Sequence, residues 1–376
     1  MKIGIDIYSY DKPGNNYGVG PGAYVWNILP EIISQSKNDE FYIFTNSKNI
    51  DYIPKAENVK LIVNKLSVKF KVLRIIHEQI FIPICFYFYG LSFVHFMGNN
   101  ISFILKNKSI LTVLDLMWKY YLDYGVKSLR YKYMGITAPR SIKNAKGIIT
   151  ISKFISDEIY EKKIRFKETY PVLLAPCISN SNDENSISEE IKSISKNPFI
   201  YTVTTSMPHK NLIVLLKAFK LIRKNEKINL KLIVSGQLKG DFKNKTFEFI
   251  KNNNLEKEIF ITGFVSESDK NFLYKNSLMV VYPSLYEGFG LPVLEAMVFN
   301  SPVITSMAAS LPEVGRQACL YFNPNSATEL SEKILLLYND DDLRKKLIEK
   351  GKENLKHFSW KHTAKQTIDV YQKFFN

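Results

Sequence analysis

Short apolar runs rich in Val, Ile and Thr alternate with longer segments of helical period along most of the 376 residues. This alternation narrows the fold more than any other feature, because strands that recur with helices between them pair in parallel sheets covered by those helices. A first series of strands is expected at "KIGIDI", "FYIFT", "NVKLIV", "LSFVHF", "SILTVLD" and "GIITIS". A second is expected at "FIYTVTT", "LKLIVSG", "EIFITG", "LMVVYPS" and "PVIT". Between the two series, "CISNSNDENSISEEIKSISKN" carries Ser, Asn and Glu without an apolar stripe and reads as an exposed linker. The expected class is α/β, with two doubly wound domains at residues 1–180 and 198–357, a linker at 181–197 and a cleft between the domains. The length agrees, since a single core seldom grows this large. Ligands of such sheets sit beyond the carboxyl ends of the strands, so the loops there are the places to look for chemistry.

Charge and cysteine content exclude more than they assign. Lys and Arg number 51 against 36 Asp and Glu, a formal +15, which suits nucleic acid, an anionic membrane surface or acidic small molecules. The basic residues are scattered, without an Arg-rich arm, a zinc pattern or an aromatic-basic sheet signature, so nucleic acid is not an expected partner. Cys85, Cys177 and Cys319 lie far apart with no paired spacing, which supports neither a disulfide framework nor a metal site. A reducing cytoplasm is the simplest compartment, and "MKIGIDIYSY" reads as a buried strand rather than a signal peptide. "QIFIPICFYFYGLSFVHFM" approaches the length of a membrane span but is broken by Pro83, Gly90 and His95, so a buried helix followed by a strand is expected there. Lys65, Lys69, Lys71 and Arg74 cluster beside it. They fit either weak contact with anionic lipid or the solvated face of a buried helix.

The chemistry concentrates in "YPSLYEGFGLPVLEAMVFNSPVIT". Here a strand ends in the loop "LYEGFG", and Pro292 opens a helix. Glu287 stands before the helix N-terminus, and Glu295 lies one turn after Leu291 and points back toward the loop. The backbone N–H groups of Phe289, Gly290 and Leu291, beside Gly288, are expected to be open to a phosphate or an anionic oxygen. Two carboxylates flanking such a turn can accept hydrogen bonds from sugar and ribose hydroxyls while the turn holds phosphates. The plainer alternative is that Glu287 caps the turn and Glu295 is a solvated helix residue. Lys210 follows a strand and precedes the helix that begins "NLIVLLKAF", which places a cation and a helix N-terminus together. Gly18, Gly20 and Gly22 in "GVGPGAY" form a Gly-rich turn that can lie against a diphosphate. The dinucleotide fingerprint is incomplete, and "FYIFT" ends in Thr45 where an acid would be needed, so a nicotinamide enzyme is disfavoured. In "NDDDLRKKL", Asp340 reads as an N-cap rather than a metal ligand.

"SLYEGFGLPVLEAM" resembles the motif of two glutamates separated by seven residues in glycosyltransferase family 4, the retaining group 1 transferases of GT-B fold. "TSMPHKNL", "ITGFVSESDKNFLYKNSLMVVYPS", "SLPEVGRQACLYFNP" and "FSWKHTAKQTIDVY" are similar to further segments of that family in order and spacing. In the first half, "GVGPGAY", "VLDL" and "TISKFISDEI" resemble its Gly loop, His-Asp segment and Ser-containing strand end. The resemblance implies two Rossmann-like domains, with the C-terminal helix 358–376 crossing back to the first. Residue by residue, it implies that Glu287 touches the donor sugar hydroxyls, Glu295 the ribose, and Lys210 the diphosphate. The turn at Gly263, Phe264 and Val265 would meet the base, Gly18 and Gly20 would lie at the phosphates, and Asp115 would belong to the catalytic set. His209 stands where Arg is usual in the family, which would leave the phosphate clamp weaker or pH-sensitive. Leu114 stands where a histidine would bond the 6-hydroxyl of the donor sugar, which suggests a 6-deoxy donor.

The implied activity is metal-independent, cofactor-free transfer of a sugar, with retention, from a nucleotide diphosphate sugar to a hydroxyl of a glycan or lipid-linked acceptor. The expected setting is surface polysaccharide synthesis at the cytoplasmic face of a membrane. A non-catalytic nucleotide-sugar or glycan-binding protein on the same scaffold is the alternative.

Overall fold

The computed structural model describes residues 1–10, 20–66, 71–120, 129–178, 186–225 and 227–375, with backbone only at 71 and 129–131. Two compact units result, Met1–Ala175 with Phe358–Asn376, and Pro176–His357.

The first unit is built on β1 (Lys2–Asp6), β2 (Glu40–Asn46), β3 (Val59–Asn64), β4 (Phe93–Phe96), β5 (Ser109–Val113), β6 (Gly147–Thr150) and β7 (Tyr170–Pro171). Their order is β3-β2-β1-β4-β5-β6-β7, and each pairing is parallel. Central β1 sets Ile3 between Phe41 and Phe93 in register. All three side chains are fully buried, as continuous apolar strands covered on both faces require. The second unit holds β8 (Phe199–Val203), β9 (Lys231–Ser235), β10 (Ile259–Gly263), β11 (Met279–Tyr282), β12 (Val303–Ser306) and β13 (Cys319–Phe322). They are again parallel, in the order β10-β9-β8-β11-β12-β13. The strand order turns back between β1 and β4 in one sheet and between β8 and β11 in the other, and ligands of doubly wound sheets bind at such switch points. β7 and β13 were not expected from the sequence. Both lie at sheet edges; β7 has only two residues, too few to show a period, and the middle of β13 is only half-buried.

The C-terminal helix Trp360–Phe375 belongs to the first unit and seals its sheet. Phe375 stacks on Phe93 with centroids 4.3 Å apart. Gly147 carries no Cβ because one would stand 2.9 Å from the Phe374 ring. Tyr371 Oη lies 2.6 Å from His95 Nδ1, and His95 Nε2 lies 2.8 Å from Thr112 Oγ1. Thr112 Oγ1 in turn lies 3.0 Å from the Tyr24 hydroxyl. This buried polar chain fixes the helix azimuth, because each member left unpaired would cost about 1–3 kcal/mol.

Two expectations need correction. The apolar stretch beginning at Gln79 is helical as expected, but it is not a buried helix. Residues 71–89 run as one helix through a π turn at His77–Phe81, where Ile82 N–H donates to the His77 carbonyl. That turn absorbs Pro83, which has no N–H to give to the preceding turn. Ile82, Cys85 and Phe86 face the core while Ile80, Ile84, Tyr87 and Phe88 face solvent. Among the described residues, Val72–Tyr89 is one helical run long and apolar enough to cross a membrane by length and composition. The stretch expected as an exposed linker at 181–197 instead contains the helix Glu189–Ile194. Ser188 Oγ caps it by accepting from Ile191 N, two glutamates occupy its first turn, and Ile187 and Ile191 are buried.

Candidate active site

The loops after β8 and β11, at the switch point of the second sheet, bring Lys210 and Glu287 into contact. Pro208–Lys210 forms a 3₁₀ turn, and Asn211 in the left-handed region passes the chain into the helix Leu212–Ile222. Asn211 Nδ2 donates to the carbonyls of Pro283 at 3.1 Å and Pro324 at 2.8 Å, while Leu285 N donates to the His209 carbonyl at 2.7 Å. One backbone hydrogen bond and the Asn211 side-chain amide thus join the two loops before any charged side chain is placed. Lys210 Nζ then lies 2.7 Å from Glu287 Oε1 and donates to the Tyr282 hydroxyl at 2.8 Å. Tyr282 donates in turn to the same Glu287 oxygen at 2.7 Å. The Lys210 and Glu287 side chains keep only 19% and 13% of their exposure.

Burial opposes both charges of this pair, and each partner overcomes that cost for the other. Lys210 is held above the ordinary lysine range, chiefly by Glu287 and Tyr282 against desolvation. Glu287 is held below the usual carboxylate range, with Lys210 the main opposition to desolvation. Both remain charged at neutral pH. His209 beside them is buried, and desolvation lowers its pKa to about 4 despite the Glu287 carboxylate. It is therefore neutral at pH 7, and a cationic clamp at this position is absent.

The turn from Glu287 into the helix Leu291–Val298 is closed by Ser310, whose Oγ donates to the carbonyls of Glu287 at 2.9 Å and Phe289 at 2.7 Å. Gly290 has φ 108°, a region L side chains avoid, so glycine is required at this helix entry. The turn is more enclosed than the sequence suggests, since Phe289, Gly290 and Leu291 are buried. Glu295 is not a solvated helix residue. Its Oε2 accepts from the Tyr274 hydroxyl at 3.0 Å. Desolvation raises its pKa, with Lys270 and Tyr274 opposing. Gly263 ends β10 with φ 69°, and its carbonyl accepts from Gly236 N at 2.6 Å. Val265 follows beside an exposed Phe264. Cys177 sits near Glu295, and burial pushes its thiol up to about 12, so it is not a nucleophile at neutral pH.

Tyr282, Asn211, Ser310, Tyr274 and Lys270 were not singled out from the sequence. Only Tyr282 carried a signal, as a polar-tipped residue ending an apolar strand five positions before Glu287. In the first unit, Gly20 is the N-cap of the helix Pro21–Gln35, and Gly18 lies outside the described residues. Asp115 Oδ1 accepts from Met117 N at 2.9 Å, and buried Leu114 donates its N–H to Asn99 Oδ1 at 3.2 Å. Asp340 caps the helix Asp341–Leu355 by accepting from Leu343 N. Among the described residues, no three His, Cys, Asp or Glu side chains are grouped to hold a metal ion.

The buried histidines have a consequence in acid. His95 is lowered to about 3 and His209 to about 4 by burial, from an ordinary 6.5. The unfolded chain therefore binds protons before the folded one does. The stability present above about pH 6.5 is lost as pH falls toward those values, His209 alone costing about 2–3 kcal/mol by pH 4.5. Glu287, also depressed, adds a loss of the same sign at lower pH. Glu78 and Glu295, raised by burial, act with the opposite sign in this window, so the check is the difference between chains: the thermal midpoint followed from pH 7.5 to 4.5 should fall more, or rise less, in the wild type than in His95→Gln. An unchanged slope in that variant would remove His95 from the account.

Comparison with known proteins agrees with this architecture. The sequence model of the family described as "Glycosyl transferases group 1" matches residues 183–354. O-antigen chain mannosyltransferase B of Escherichia coli is 28% identical over 372 residues, covering 94% of this chain and 96% of that protein. O-antigen chain mannosyltransferase RfbU of Salmonella typhimurium is 30% identical over 222 residues, 59% of this chain and 58% of that protein. The solved structure of sucrose-phosphate synthase from Thermosynechococcus elongatus superposes with a TM-score of 0.74 at 16% identity, covering 100% of this chain and 99% of that one. With two parallel α/β units and a Lys–Glu pair at the switch point of the second, the chain has the GT-B fold, and its residues 183–354 match the group 1 glycosyltransferases.

Proposed function

We propose that the protein transfers a hexosyl unit, with retention, from a nucleotide diphosphate sugar to a hydroxyl of a glycan or lipid-linked acceptor in surface polysaccharide synthesis. The observation that carries this reading is the closed triangle of Lys210, Tyr282 and Glu287. A diphosphate arriving at the switch point competes for the Lys210 ammonium. As Lys210 turns to it, the Glu287 carboxylate becomes available to accept hydrogen bonds from sugar hydroxyls. Glu295, backed by Tyr274, suits the ribose, and the turn at Gly263 and Val265 suits the base. Gly18 and Gly20, with Asp115 nearby in sequence to Leu114, are proposed as the first unit's contribution. Leaving-group charge on the diphosphate is met by Lys210 and the entry of the helix Leu291–Val298, a preorganised electrostatic contribution that needs neither metal nor cofactor. Mannosyl transfer by both relatives favours a donor of mannose configuration, and Leu114 in place of a hydroxyl-binding histidine favours its 6-deoxy form. A lipid-borne acceptor would bring the enzyme to the cytoplasmic face of a membrane, so peripheral contact with anionic lipid belongs to the same reading, and nucleic acid does not.

Release of nucleoside diphosphate from a panel of nucleotide sugars, with and without membrane-derived acceptor, tests the reading. Acceptor-dependent release is expected, with 6-deoxymannose preferred to mannose and Leu114→His shifting the preference toward mannose. Binding of donors without any release would favour the non-catalytic alternative.

A further inference from the structure

We propose that one face of the first unit docks on an anionic bilayer, with the outer side of the helix at 71–89 entering the headgroup boundary and a surrounding set of cations meeting lipid phosphates. Ile80, Ile84, Tyr87 and Phe88 fall on one side of that helix, and Ile84 and Phe88 keep 64% and 78% of their exposure. The opposite side is fixed in the core through Ile82 and Phe86. The helix therefore lies on the domain surface and cannot cross a bilayer without pulling that core apart.

Two neighbouring elements extend the face. The Gln79 side chain donates to the Ile101 carbonyl and accepts from Phe103 N, both at 3.0 Å, which ties the loop at 101–104 to the helix beside Ile80. That loop exposes Phe103 and Ile104 and continues into exposed Lys106 and Lys108. Ile101 N donates to Ser141 Oγ at 3.1 Å, joining the loop to the helix Leu129–Asn144. The outer side of that helix carries Lys132, Ile136, Arg140 and Lys143, all exposed and spaced by three or four residues.

The charge selects the occupant. Between residues 61 and 146, thirteen Lys and Arg stand against three Asp and Glu, which accounts for ten of the chain's fifteen net charges. Glu78, the acid on the apolar helix, is raised to about 8 by burial and by Asp6, so even that charge is largely absent at neutral pH. A second copy would set these cations against one another, whereas an anionic leaflet rewards them individually and the apolar stripe collectively. The cations named from the sequence contribute less: Lys65 is exposed and Arg74 half-buried, Lys69 lies outside the described residues, and the Lys71 side chain is not described.

The proposal rests on the transferase reading only for where the acceptor is met, so binding is measured on the full chain without donor or acceptor. Co-sedimentation with phosphatidylcholine vesicles and with phosphatidylcholine–phosphatidylglycerol vesicles should show binding to the latter alone at low salt, reversed by high salt. Ile84→Glu with Phe88→Glu, and separately Lys106→Glu with Lys143→Glu, should each weaken binding about tenfold or more. Lys217→Glu with Lys220→Glu, on the second unit, should not. Circular dichroism keeps a folding failure apart from a lipid effect, and transfer to a soluble acceptor should persist in the Ile84/Phe88 variant. No binding at low salt overturns the proposal, as do equal binding to neutral vesicles and wild-type binding by both face variants. Self-association abolished by the Ile84/Phe88 change without any lipid effect would also overturn it, making the face a dimer contact. Lipid binding by a protein inactive on every donor would instead overturn the transferase reading and leave the surface standing.

Discussion

Glu287→Gln and Lys210→Met should each lower kcat by about a hundred- to a thousandfold, the range for removing one positioned electrostatic group. The two changes are not equally benign to the fold. Lys210 and Glu287 form a mostly buried pair 2.7 Å apart, so either change alone leaves the other group without its closest counter-charge. That costs about 3 kcal/mol, the low end for a broken buried pair because both groups keep some solvent. The double variant should recover most of this stability and none of the turnover. Tyr282→Phe should keep the pair but loosen its geometry, with a smaller fall in kcat. Glu295→Ala should act mainly on the donor KM. Measured kcat, donor KM and unfolding free energy across these variants check the assignment. Wild-type turnover in both single variants would remove the triangle from the chemistry. Restored turnover in the double variant would show that the pair serves the fold alone.

Deletion of residues 358–376 should unfold the first unit. The removed segment contributes buried Phe358, Ile368, Val370 and Tyr371, and full burial of such side chains is worth on the order of 1.5–3 kcal/mol each. The sum approaches the whole stability of a typical domain. The deletion also strands His95 without its Tyr371 partner and leaves Phe93 without the Phe375 ring. Limited proteolysis should cut the first unit rapidly while Pro176–His357 resists. Tyr371→Phe, which removes the hydroxyl alone, should cost about 1–2 kcal/mol and leave activity intact. A truncated chain as soluble and active as the intact one would contradict this packing.

Local sequence carried the strand and helix order, because period-2 and period-3.6 patterns are properties of neighbouring residues and survive without knowledge of the fold. It also carried the glutamates on either side of the turn at Gly290, since a strand, a Gly-rich loop and a Pro-started helix are written consecutively. The two-residue strand Tyr170–Pro171, too short for a period, escaped it, as did the half-buried edge strand Cys319–Phe322. So did Ser188, whose capping of a helix turned an expected linker into part of the second unit. Tertiary structure decided which distant groups meet. Tyr282 between Lys210 and Glu287, Ser310 under the turn and Asn211 bridging two loops depend on β8 and β11 lying side by side, a pairing across some eighty positions of sequence. It also decided which side of an apolar helix faces water. Composition made the apolar stretch from Gln79 look like core, but the sheet had only one side of its helix to cover, and Ile80, Ile84, Tyr87 and Phe88 were left outside. Periodicity records that a residue is apolar and where it falls on its helix; only the packed neighbours determine whether it is covered.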